Sequence, residues 1–145
     1  MNPSRLNGMK VIGAEGVILG EVEGVDIDLK TWKASTLHVS LNDEAAAGFG
    51  IEKPFMSKIT VCLPTKFVKC VGDVVFLNKP IVNLDEAAKE CLSIPTKLAG
   101  KKVFGSKGYS VGEVESLDLD PDKWQVANLQ VSLNRGAASE LGLSR

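Results

Sequence analysis

The chain has 145 residues, enough for one domain or two small ones. Hydrophobic residues make up 44%, charged residues 24% and aromatics 6%, which excludes a disordered tail, a collagen-like repeat and a disulfide scaffold. With 17 basic and 18 acidic residues the net charge is −1, so no global positive field exists to hold nucleic acid; the single histidine excludes most His-dependent catalytic and zinc-enzyme schemes.

Taken from its start, Met-Asn-Pro-Ser-Arg-Leu, the chain shows no apolar stretch of the secretory-signal kind. A strand is expected over about residues 17–28, with an inward set that begins on Val22 and resumes on Val25, Ile27 and Leu29. That change of parity predicts a β-bulge near Gly24. Lys30-Thr31 supplies the hairpin turn, and the partner strand alternates cleanly, with Leu37, Val39 and Leu41 inward and His38 and Ser40 outward. A short helix is expected over Asp43–Ala47, with Asn42 as its N-cap and Gly48 as its stop. Strands then follow at about Lys58–Leu63, Lys66–Val71 and Asp73–Leu77, and a helix at about Leu84–Leu92 leads to the Ser93-Ile94-Pro95 break.

From there the pattern starts again. Residues 4–51 lie over residues 96–143 without a gap, an offset of 92, with roughly two in five identical. Gly20-Glu21-Val22-Glu23 falls on Gly112-Glu113-Val114-Glu115, Trp32 on Trp124, and Val39-Ser40-Leu41-Asn42 on Val131-Ser132-Leu133-Asn134. A period this long excludes a solenoid and indicates a duplicated small domain. The second copy repeats the bulge near Ser116, with Val114, Leu117 and Leu119 inward, a turn at Pro121-Asp122-Lys123, the inward series Leu129, Val131 and Leu133, and a helix over about Arg135–Leu141. It reaches Arg145 before any equivalent of Glu52–Pro80. The expected architecture is mainly β, with two small barrels in tandem: residues 1–80, a helical linker over 81–95, and an incomplete second barrel over 96–145.

Candidate chemistry is sparse. Asp118, Asp120 and Asp122 imitate the start of a calcium loop, but Lys123 and Leu129 stand where that loop needs glycine and glutamate. His38 corresponds to Gln130 and reads as a surface residue; Glu21/Glu23 and Glu113/Glu115 read as outer-face carboxylates. Gly13, Gly16 and Gly20 precede a strand rather than a helix, so no helix N-terminus receives a phosphate, and Trp32 and Trp124 read as packing anchors. Cys62, Cys70 and Cys91 form an odd set without a C-x-x-C pair and read as free thiols of a reducing cytoplasm. No catalytic, cofactor-binding or metal-ligating residues are expected. The candidate partner-binding residues are Leu129, Val131 and Leu133, left open where the second copy lacks its last strands; if the chain ends at Arg145, self-association or pairing with a related barrel is expected there.

Leu6, Gly8, Val11, Gly13, Gly16, Gly20, Glu21, Val22 and Asp28, followed by Val71, Gly72, Asp73, Val75 and Leu77, form a pattern that resembles the PRC-barrel family. The resemblance implies a six-stranded β-barrel that binds other proteins and carries no catalytic site. A tandem of barrels is most similar to stand-alone archaeal members linked to cell division, which bind the adaptor that recruits a tubulin-like ring to the membrane. It implies a non-enzymatic adaptor without cofactor, cytoplasmic and recruited to mid-cell, with protein partners and only indirect contact with membrane. The competing implication is a ribosome-maturation factor of the RimM type; that type carries a further N-terminal domain, and three residues precede the first copy here.

Overall fold

The computed structural model describes residues 1–48, 59–80, 89–91 and 97–136. The described residues form ten strands, most of them with apolar side chains at alternate positions: β1 (Lys10–Ile12), β2 (Ile18–Asp28), β3 (Lys33–Leu41), β4 (Thr60–Pro64), β5 (Val68–Val71), β6 (Val75–Leu77), β7 (Lys89–Glu90), β8 (Lys102–Phe104), β9 (Ser110–Asp120) and β10 (Gln125–Leu133). They form a single sheet in the order β5-β6-β1-β2-β3-β10-β9-β8, while β4 lies along β3 and carries β7 on its other side. Most neighbours are antiparallel; β1 runs parallel to β6, setting Val11 beside Val75 and bringing the first copy's opening and closing strands together.

The inward side chains of the first copy make the larger part of the core. Val11, Leu19, Leu37, Val39, Val61, Leu63 and Val75 are fully buried, and each contributes roughly 1.5–3 kcal/mol relative to exposure. Val22, Val25 and Ile27 are buried as expected, and the ladder slips between Val22 and Gly24, so the bulge falls on Glu23. The second copy slips at the matching place, between Gln130/Ser116 and Val131/Val114. Leu29 departs from the expected inward set: it stands at the turn after β2 has ended and is exposed.

The two copies repeat their local hydrogen bonds position for position. Gly8 N–H donates to Val22 O and Gly100 N–H to Val114 O, each at 2.8 Å. Asn42 N–H donates to Leu19 O at 3.0 Å, and Asn134 N–H to Val111 O at 2.9 Å. Asp28 and Asp120 accept from the backbone N–H two residues on, at Lys30 and Asp122, each at 2.9 Å, so both carboxylates tie their hairpin turns. Asn42 also caps α1 (Asp43–Gly48), its Oδ1 accepting from Ala45 N–H at 2.8 Å.

The copies meet at one place in the sheet, where Lys33 pairs with Gln125. Ala34 N–H donates to Trp124 O and Val126 N–H donates to Trp32 O, a reciprocal exchange between equivalent positions of the repeat. Both tryptophans adopt the left-handed region, at φ 57° and 53°. As an anchor Trp124 is buried, whereas Trp32 remains 37% exposed.

Two expected elements change. The strand expected from Lys66 begins with a 3-10 turn over Thr65–Phe67, and Thr65 Oγ1 donates to Ala34 O at 2.8 Å. The helix expected over Leu84–Leu92 is replaced at its described end by β7, where Val61 and Cys62 pair with Glu90 and Lys89; the rest of it, and the expected helix beyond Gly136, lie outside the described residues. No helix among the described residues is long and apolar enough to cross a membrane.

Close approach fixes one glycine in each copy. A Cβ on Gly20 would stand 1.8 Å from Ser40 O, and one on Gly112 1.9 Å from Ser132 O, whereas Gly72 has nothing within 4 Å. Gly20→Ala is therefore expected to lower stability by about 1–3 kcal/mol or more through backbone displacement, and Gly72→Ala to stay within about 0.5 kcal/mol, as read from urea unfolding midpoints.

Candidate functional site

The clearest binding feature is the side of β10 that, among the described residues, meets another strand only at its start. In the first copy, β3 is flanked by β2 and, from Thr36 to Ser40, by β4. In the second, β9 flanks β10 on one side, but on the other side β10 meets a described strand only at the Lys33–Gln125 exchange. The three candidate residues follow this difference. Leu37 is 0% exposed and its equivalent Leu129 is 39% exposed; Val39 and Leu41 are buried, whereas Val131 and Leu133 are half-buried.

Composition sharpens the contrast. The nine residues of β10 include no Lys, Arg, Asp, Glu or Pro. The end strands of the sheet do carry charge, Lys69 in β5 and Lys102 in β8, the usual protection against unwanted pairing. An uncharged strand side left unpaired by the described strands is a template for another strand.

A second cluster lies on the outer face of the first copy. His38, expected at the surface, is 1% exposed, and its Nε2 lies 2.9 Å from Asp26 Oδ2. Across the ladder Cys62 stands opposite His38, its Sγ 3.8 Å from Nε2 and 3.9 Å from Nδ1. Cys62 is bonded to Cys91, which corrects the reading of these two as free thiols; Cys70 is free and exposed. The alternation of β3 did place His38 opposite the core face. At His38 that face is not open to solvent: Asp26, Cys62 and Cys91 stand close to the ring, and Cys91 comes from a segment distant in sequence. The equivalent Gln130 is exposed and accepts from Ser116 Oγ at 2.7 Å. Asp118, the equivalent of Asp26, accepts instead from the Met1 ammonium at 3.1 Å.

Other sequence candidates are engaged structurally. Asp118, Asp120 and Asp122 do not converge on a point: Asp118 holds Met1 and Asp120 ties its own turn. Glu23 Oε2 accepts from Thr60 Oγ1 at 3.0 Å. A cavity of about 400 Å³ lies where the copies face each other, lined by equivalent pairs such as Val25/Leu117 and Glu23/Glu115.

Residues 1–83 match the family model described as PRC-barrel domain, more than half of the chain. No curated protein matches the sequence.

Two substitutions separate the filled edge from the open one. Val39→Asp, in the closed core, is expected to lose several kcal/mol, on the order of the whole stability. Val131→Asp, at a half-buried position, is expected to leave a cooperative unfolding transition in circular dichroism. A third tests the buried histidine: His38→Ala opens a cavity and strips Asp26 of its partner, and a loss of about 2–4 kcal/mol is expected in the same denaturation assay.

Proposed function

Since the chain belongs to the PRC-barrel family, small β-barrel modules often engaged in protein interactions, we propose that it is a non-enzymatic adaptor that binds protein partners by strand addition along β10. The observation that carries this reading is the uncharged side of β10 that no described strand covers beyond Gln125, beside the equivalent side of β3 filled by β4. Main-chain hydrogen bonds supply affinity in such pairing, and the side chains of one face supply selectivity. Leu129 and Val131 form that face, with Leu133 at its end.

The simplest occupant is a second copy of the chain. An antiparallel pairing of two β10 strands centred on Gln130 sets Leu129 opposite Val131 and Asn128 opposite Ser132, so apolar meets apolar and polar meets polar. The contact is then isologous and closes as a dimer. The cellular setting we infer is archaeal cell division, where the chain joins a membrane-anchoring partner of the tubulin-like ring and is drawn from the cytoplasm to mid-cell. Support for that setting is the likeness of the repeated sequence to stand-alone archaeal members of the family.

Light scattering over a dilution series tests the pairing. A dimer is expected for the native sequence and a folded monomer for Leu129→Lys with Val131→Lys. A native chain that stays monomeric at every concentration overturns it, whether β10 amides are protected from exchange by another part of the chain or become protected only when a related barrel is added. For the setting, a fluorescent fusion is expected in a mid-cell band; co-sedimentation with ribosomal subunits instead would sink the division reading.

A further inference from the structure

The His38–Cys62–Cys91 cluster has more donor chemistry than a structural crosslink uses. We propose that these three residues form a zinc-binding site that is closed while Cys62 and Cys91 are disulfide-bonded and becomes available when that bond is reduced. The inference is independent of the β10 edge.

Geometry is the first support. His38 and Cys62 face each other across the β3–β4 ladder, and β7 pairs with β4 so that Cys91 follows directly. One ring nitrogen and the two sulfurs all lie within 4.8 Å of one another. Ligands on one tetrahedral zinc, at Zn–S of about 2.3 Å and Zn–N of about 2.0 Å, stand about 3.3–3.8 Å apart. The imidazole–Cys62 spacing, at 3.8–3.9 Å, is already close to that range. After reduction the two sulfurs separate, with Cys91 Sγ within 4.8 Å of a ring nitrogen, and the metal takes the place among the three.

Donor type is the second. Two thiolates and an imidazole are the soft and borderline ligands that zinc prefers, and they leave a fourth position for water. The third support is Asp26. Its carboxylate, 2.9 Å from Nε2, holds the ring; with the proton on Nε2, Nδ1, 3.9 Å from Cys62 Sγ, keeps its lone pair for the metal. A carboxylate on the nitrogen that does not bind the metal is the arrangement that orients a zinc-ligating histidine. Because His38 is 1% exposed, its ring is held in place before any ion arrives. Cys62 and Cys91 are half-buried, so a small reductant reaches them.

The chemical steps balance with a dithiol as the reductant. Its two thiols give two electrons and two protons to the Cys62–Cys91 bond; the S–S bond breaks, two S–H bonds form, and the dithiol closes its own disulfide. Zinc binding then displaces the two thiol protons to solvent as two Zn–S bonds form, and His38 Nδ1 adds its electron pair.

The test uses the full chain, reduced and freed of reductant under anaerobic conditions, and titrated with cobalt(II) as a spectroscopic stand-in for zinc. One cobalt per chain is expected, with thiolate-to-metal charge-transfer bands and tetrahedral d–d absorption, all abolished by stoichiometric zinc. The disulfide form is expected to bind neither ion. Cys70→Ser should be unchanged, Asp26→Asn weakened about 10–100-fold, and Cys91→Ser weakened at least tenfold. His38→Cys keeps a ligand at the buried position, so it should retain binding with a third thiolate in the spectrum even if His38→Ala fails to fold. Absence of charge-transfer bands in the reduced native chain, or their loss in Cys70→Ser, or their full persistence in Cys91→Ser, would overturn the proposal.

Discussion

Two backbone hydrogen bonds decide what this molecule presents to its surroundings. Ala34 donates to the Trp124 carbonyl and Val126 to that of Trp32, and through them two repeated units become a single sheet. The exchange occupies only the first residues of β3 and β10. Beyond it β3 continues against β4, while β10 continues with one side free of any described strand. The left-handed conformation of both tryptophans belongs to this junction. For a bulky residue it costs on the order of 1–2 kcal/mol, and it persists at equivalent positions because each carbonyl is held by the opposite copy.

The repeat separates what the fold needs from what it permits. Turn carboxylates at Asp28 and Asp120, close glycines at Gly20 and Gly112, and bulges at Glu23 and Glu115 recur with matching geometry. Asp26 and Asp118 keep their identity but not their partners: one holds His38, the other Met1. His38 and Gln130 differ in identity, burial and neighbours together.

Legibility in the sequence followed the same division. Strict alternation at Leu37, Val39 and Leu41 placed the core, and the shift of parity from Val22 to Val25 placed the bulge, because both are set by neighbours along the strand. At Leu129, Val131 and Leu133, comparing the second copy with the first pointed to weaker burial, and these residues are less buried than Leu37, Val39 and Leu41. The histidine–cysteine cluster was not. Period 2 tells which face His38 occupies and nothing about what covers it, and the cover comes from Cys91, 29 residues beyond Cys62. Spacing alone offers no reason to join those cysteines. Leu29 misled for a simpler reason: the inward pattern runs past the last residue of the strand into the turn.

The covalent link between β4 and the Cys91 segment has a thermodynamic side. It closes a loop over a separation of 29 residues that contains β5 and β6, and in the chain-entropy account such a closure removes about 3–4 kcal/mol of disorder from the unfolded ensemble. The second copy has no comparable tie among the described residues. Opening free energies are thus unequal along one continuous sheet, with β8 to β10 forming the softer unit. That unit also carries the side of β10 left uncovered by the described strands, so part of any pairing energy there would go into quenching local motion. Were another strand to pair there, contact and ordering would be one event, with a large negative entropy and an amide-exchange footprint that spreads well beyond the strand touched.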